Sequence, residues 1–135
     1  MFKINSFDID GVIFMGDFGG VYPGPDDVII TGRSYEEEPE TLAMLSRKGI
    51  TNRVFFNPLP FAAKTRETSG QHKAKTLLDL RAMGYPIAIH YEDDPVQIAE
   101  IKERVPDIIV VQLVHDLVEK ENVRHRQPNF TSLEK

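Results

Sequence analysis

Short apolar runs bounded by turn residues alternate along this chain with longer stretches whose apolar positions recur every three or four residues. Phe2–Ile9 alternates toward an apolar stretch and ends in polar residues, which predicts a strand. Val28–Thr31, Arg53–Phe56, Ile87–Tyr91 and Ile108–Leu113 are further short runs and predict four more strands. A helix is expected between the second and third, capped by Ser34, opened by Glu36–Glu38 and Pro39, and running through Lys48 to a stop at Gly49. A second is expected over Gln71–Met83, carried by Leu77, Leu78 and Leu80 and ended by Gly84. A third is expected over Pro95–Val105, with proline at its opening position. Gly11–Pro25 holds Gly16, Gly19, Gly20, Gly24, Pro23 and Pro25, a density of turn residues that suits a hairpin or flap. Asn57–Gly70 reads as a loop, and the chain beyond about Glu119 as a polar tail.

Strands alternating with helices of about a dozen residues predict an α/β fold. The expectation is a three-layer Rossmann-like sandwich around a mostly parallel five-stranded sheet, with a small flap after strand 1. Residues 1–118 would form one domain and 119–135 a tail. Sheets of this kind hold ligand chemistry in loops at the carboxyl ends of their strands. That rule selects, among 21 acidic residues, those that can meet.

Composition narrows the classes. The 135 residues are 41% hydrophobic and 27% charged, which suffices for one core. The longest apolar runs, such as Ile108–Val111, are too short to cross a bilayer, and no secretory signal is expected at the start. The absence of cysteine excludes disulfides and thiol chemistry and fits a reducing, cytoplasmic setting. A net charge of −5 argues against a general nucleic-acid binder. The charge is uneven, however: Met1–Gly32 has one Lys against five Asp, whereas Arg33–Arg81 has nine Lys/Arg against six Asp/Glu. An acidic cluster beside an anion site is compatible with that division.

Four clusters fall at predicted strand ends or helix starts. Asp8 and Asp10 share one side of the first strand, since side chains repeat every two residues, and Gly11 permits a change of direction. Two such carboxylates repel each other unless a cation or a shared proton intervenes; the plainer reading is a strand-ending Asp turn. Thr31-Gly32-Arg33 offers a hydroxyl, exposed N–H groups and a guanidinium to a phosphate, although Thr-Gly is also ordinary turn chemistry. Lys73 and Lys75 lie at the expected helix start, where a cation needs an anion or solvent; Lys73 is four residues before Leu77, on the buried side. Glu92-Asp93-Asp94 places three carboxylates ahead of a helix and suits Mg²⁺, against the simpler reading of Asp94 as a helix cap.

In this order, DxDG, strand-Thr-Gly, helix Lys and strand-Asp-Asp, the chain resembles the haloacid dehalogenase (HAD) superfamily of phosphohydrolases over roughly Phe2–Leu113. The resemblance implies Asp8 as nucleophile and Asp10 as general acid/base. It implies Thr31 and Gly32 at the phosphoryl group, and Lys73 neutralising that group while steadying Asp8. Asp93 would hold Mg²⁺ together with Asp8 and the backbone carbonyl of Asp10, with Asp94 assisting. Lys75 is the alternative to Lys73, Glu92 the alternative metal-side acid, and Arg33 a further phosphate contact. An Asp at position 10 favours phosphate esters as substrates.

Only 20 residues lie between Asp10 and Thr31, and Lys73 follows Thr31 by 42 positions, so no folded cap domain is expected. Capless relatives tend to have open sites suited to macromolecular ends or to closure by a partner subunit. Thr31-Gly32-Arg33 and Asp93–Gln97 are locally similar to the phosphatase half of polynucleotide kinase-phosphatases. The expected substrate is therefore a phosphorylated small ester or a nucleic-acid end, with no membrane partner. The rival readings are a catalytically silent HAD-like binding module and a phospho-receiver signalling domain. Phospho-receivers carry the phosphorylated Asp after the third strand, where this chain has Asn57 and Pro58. His90, inside an apolar strand, reads as a satisfied core histidine, and Phe55, Phe56 and Phe61 as core or loop packing.

Overall fold

A computed structural model describes residues 3–118; the expected polar tail from 119 lies outside them. Strands β1 (Ile4–Phe7), β2 (Val28–Ser34), β3 (Val54–Asn57), β4 (Ile87–Glu92) and β5 (Ile109–Gln112) form one sheet in the order β3-β2-β1-β4-β5. Every pairing is parallel. Helices α1 (Glu38–Arg47), α2 (Arg66–Ala82) and α3 (Pro95–Arg104) complete a Rossmann-like three-layer sandwich.

The period-two alternation of β2 divides the core between the two faces. Val28 and Ile30 pack with Ala74, Leu77 and Leu80 of α2 and Ile101 of α3; Ile29 packs on the other side with Phe7, Ile9 and Leu45 of α1. Both faces being covered is why the strands read as near-continuous apolar runs. Burying Ile29 and Ile30 completely contributes about 1.5–3 kcal/mol each.

The chain moves outward from β1 through β2 to β3, then returns to place β4 on the other side of β1. Connections from β1 and β4 leave the sheet in opposite directions, which opens a crevice at their carboxyl ends, the place such sheets use for ligands. The Phe7 and Tyr91 rings stack at 4.4 Å and hold the two strand ends level.

Three local expectations need correction. Helix α2 begins at Arg66, five residues before Gln71, because Thr65 and Thr68 cap it: Thr68 N–H donates to Thr65 Oγ1 (3.1 Å) and Thr65 N–H to Thr68 Oγ1 (2.7 Å). Lys73 therefore stands in the interior of a helix, and the helix-start argument does not apply to it. Strand β2 runs on to Ser34, so Thr31-Gly32-Arg33 lies inside a strand whose register shifts between Ile30 and Ser34, not in a turn at its tip. Ser34 precedes a 3₁₀ turn, Tyr35–Glu37, before α1 starts. The segment after Asp10 is a series of turns with two isolated bridges, and its Val12 and Ile13 are fully buried in the core.

Candidate active site

Asp8 follows the end of β1, and its N–H donates to the Tyr91 carbonyl (3.0 Å), which pins it beside β4. Glu92 ends β4 and Asp93 follows it. One carboxylate oxygen from each of Asp8, Glu92 and Asp93 lies within 4.8 Å of the others. Gly11 makes this approach feasible. Its φ is +91°, and a Cβ there would stand 1.8 Å from Asp93 Oδ2. His115 seals the same corner. Its Nδ1 accepts from Leu117 N–H (3.1 Å), so in the neutral ring Nε2 carries the proton and donates to the Gly11 carbonyl (2.8 Å), with Asp93 Oδ2 3.4 Å away.

From α2, Lys73 reaches into this cluster. Its side chain is fully buried, and Nζ donates to Asp8 Oδ1 (2.9 Å) and Glu92 Oε1 (2.7 Å). Glu92 Oε1 also contacts His90 Nε2 (3.0 Å), and His90 Nδ1 contacts Ser6 Oγ (2.8 Å). The N–H groups of Asp93 and Asp94 reach Glu92 Oε2 at 3.3 and 3.4 Å. Both Glu92 oxygens are thus engaged by the protein, so its role is counter-ion to Lys73. Glu92 nonetheless belongs, with Asp8 and Asp93, to the three carboxylates close enough together to hold a metal ion. His90 is a fully buried, hydrogen-bonded core residue, as its position in the strand predicts.

Asp8, Glu92 and Asp93 thus gather three carboxylates beside the Lys73 ammonium. An all-oxygen donor set of this kind suits a hard divalent cation. The donor set therefore fits Mg²⁺, with Asp8 and Asp93 as the residues to hold it.

Thr31 is fully buried, and its Oγ1 accepts from the Arg33 N–H (3.0 Å). Arg33 does not stand open as a phosphate grip. Its Nε and Nη2 donate to Asp10 Oδ2 (2.9 Å) and Oδ1 (2.7 Å), and Nη1 to Thr41 Oγ1 (3.0 Å). A bidentate guanidinium favours the ionised carboxylate, so Asp10 in this conformation is held as a base.

The remaining candidates separate clearly. Asp94 is the N-cap of α3: Oδ1 accepts from Val96 N–H (3.0 Å), Oδ2 from Gln97 Nε2 (3.0 Å), and the Arg66 guanidinium grips both oxygens. That pairing holds Arg66 above its usual pKa, through the Asp94 hydrogen bond first and against the cost of burial. Asp94 thus takes the capping role, with both carboxylate oxygens engaged by α3 and Arg66. Lys75 is exposed and pairs with Asp79 one turn on (2.7 Å), which leaves Lys73 as the lysine at the site.

Two residues escaped the sequence reading. Lys64 falls in the segment that the sequence predicts as a loop, yet its side chain is completely buried. Arg66 opens a helix whose first turn was not recognised. The Thr65–Thr68 capping pair was the available signal for both. No known family model and no curated protein matches the chain.

Proposed function

We propose that this chain is a Mg²⁺-dependent phosphohydrolase that forms an aspartyl-phosphate at Asp8. The observation that carries the reading is the buried Lys73 bridge, which joins Asp8 to Glu92 beside Asp93 at the crevice between β1 and β4. A lysine held by two carboxylates at that place stabilises an ionised Asp8 and leaves a positive charge where a phosphoryl group would arrive. The HAD resemblance names Asp8, Lys73 and Asp93 for these roles, with Glu92 as the alternative metal-side acid, and the sheet order sets β1 beside β4.

Asp8 attacks phosphorus in line, and its carboxylate oxygen forms the new P–O bond as the bond to the leaving oxygen breaks. Lys73 stays beside the nucleophile and offsets charge on the transferring group. The Thr31 hydroxyl donates to one phosphoryl oxygen. Asp10 delivers a proton to the leaving oxygen and later takes one from the water that hydrolyses the aspartyl-phosphate, a role that requires Arg33 to release it. Mg²⁺, when bound by Asp8 and Asp93, supplies the positive charge that lets a carboxylate approach a phosphate.

The test is phosphate release from p-nitrophenyl phosphate across a Mg²⁺ titration, comparing the native chain with Asp93→Asn. A requirement for Mg²⁺ that shifts to higher concentration in the variant supports the reading, whereas metal-independent release contradicts it. A 3′-phosphorylated oligonucleotide is the second substrate to try. If small esters are cleaved and the oligonucleotide is not, the nucleic-acid-end substrate is excluded.

A further inference from the structure

Lys64 has no place in the chemistry above, and its surroundings are unusual. Its side chain shows 0% exposure, and Nζ donates to the Gly32 carbonyl (3.0 Å) and to Glu37 Oε2 (2.6 Å), with the Phe61 ring 5.0 Å away. Glu37 Oε2 also accepts from Ser34 N–H (2.8 Å) and Ser34 Oγ (3.0 Å). A buried lysine is costly unless its donors are used, and here one of them is used on a backbone carbonyl inside the Thr31-Gly32-Arg33 triplet.

That carbonyl belongs to the peptide between Gly32 and Arg33. The N–H of the same peptide donates to Thr31 Oγ1 (3.0 Å). One planar group is therefore pinned at both ends, by Lys64 at its oxygen and by Thr31 at its nitrogen. Asn57 Nδ2 adds a longer contact to the oxygen (3.4 Å). Since Thr31 Oγ1 accepts from the peptide, its own O–H stays available to donate. Lys64 and Thr31 thus hold opposite ends of one peptide plane.

We propose that Lys64 is a positioning residue for the phosphoryl site, acting through the Gly32–Arg33 peptide to aim the Thr31 hydroxyl at a phosphoryl oxygen. The inference rests on the phosphohydrolase reading and extends it to a residue from a different segment, the loop before α2.

The test uses the full chain and orthophosphate as probe. Lys64→Met alone would leave Glu37 without its cation, so it is paired with Glu37→Gln, which removes both charges and keeps the fold. The Lys64→Met/Glu37→Gln chain is expected to weaken both orthophosphate inhibition and KM for p-nitrophenyl phosphate by roughly tenfold, the loss of about one hydrogen bond to a charged group. The kcat should change less than KM, and the melting temperature should lie above that of Glu37→Gln alone, which leaves the buried Lys64 ammonium without its carboxylate. In a Thr31→Val background the same pair of changes should add little, because the two sites act in series. Native KM and inhibition in Lys64→Met/Glu37→Gln, or full additivity with Thr31→Val, would overturn the proposal while leaving the phosphohydrolase reading intact. A native chain that neither hydrolyses the ester nor binds orthophosphate by calorimetry would overturn both.

Discussion

At the scale of single residues, buried charge dominates, and its consequences are measurable without knowing the substrate. Lys73, Asp8 and Glu92 are all fully buried. Removing one member of such a group leaves the others uncompensated, so Lys73→Met should destabilise the chain by about 3–5 kcal/mol. Lys73→Met combined with Glu92→Gln should recover much of that in a urea titration yet stay inactive; a stable, active Lys73→Met chain would remove Lys73 from the site. His72 offers a second test. Burial first, and then the neighbouring Lys73 charge, push its pKa from 6.5 down to about 4. The carbonyls of Phe55 and Thr31 pull the other way, but Nε2 has no hydrogen-bond partner. The unfolded chain therefore binds more protons between those values, and stability falls as pH drops from 6.5 to 4. The full penalty is of order 3 kcal/mol at 1.36 kcal/mol per unit. His72→Gln should flatten that acid limb in melting curves taken from pH 7 to 4, and an unchanged slope would contradict the assignment. Glu37 has the opposite character. Burial raises its pKa, yet the Lys64 and Ser34 hydrogen bonds together hold it below the usual value, so its stabilisation is present above pH 4.5 and is lost below it.

At the scale of elements, the boundary between legible and illegible follows local chemistry. The five strands and the third helix were readable to within a residue or two at most ends, because apolar runs closed by glycine, proline or carboxylates carry their own punctuation. The start of α2 was not, since Arg66–Gly70 lacks apolar periodicity and its signal was a threonine pair acting as a cap. That miss concealed Lys64 and Arg66 and placed Lys73 at a helix start. The capping role of Asp94 was among the alternatives the residues allowed, whereas the pairing of Asp8 with Lys73 followed only from the HAD resemblance. The bidentate Arg33–Asp10 pair was not among those alternatives, because it joins two sequence clusters, one pointing to a cation and the other to a phosphate. The turn after β1 yields its own prediction. Gly11→Ala would force a Cβ into Asp93 at a positive φ, so it should weaken Mg²⁺ binding and lower the melting temperature together. Native metal affinity in Gly11→Ala would show that Asp93 does not need this close approach.

For the whole molecule, the sheet order assembles the site. Asp8 and Lys73 are 65 residues apart, and Lys73 and Glu92 are 19 apart; they meet because β4 returns to the side of β1 opposite β2. No described helix is long and apolar enough to cross a membrane. If the carboxylates at the crevice hold Mg²⁺, the ion should stabilise the fold, by about 2.7 kcal/mol at a hundred times its dissociation constant. The central claim, that Asp8 is a nucleophile, is tested most directly by phosphate release from p-nitrophenyl phosphate with saturating Mg²⁺, comparing the native chain with Asp8→Asn. Turnover in the native chain that vanishes in a folded Asp8→Asn chain is the predicted result. Equal turnover in both, or none in either, would contradict it.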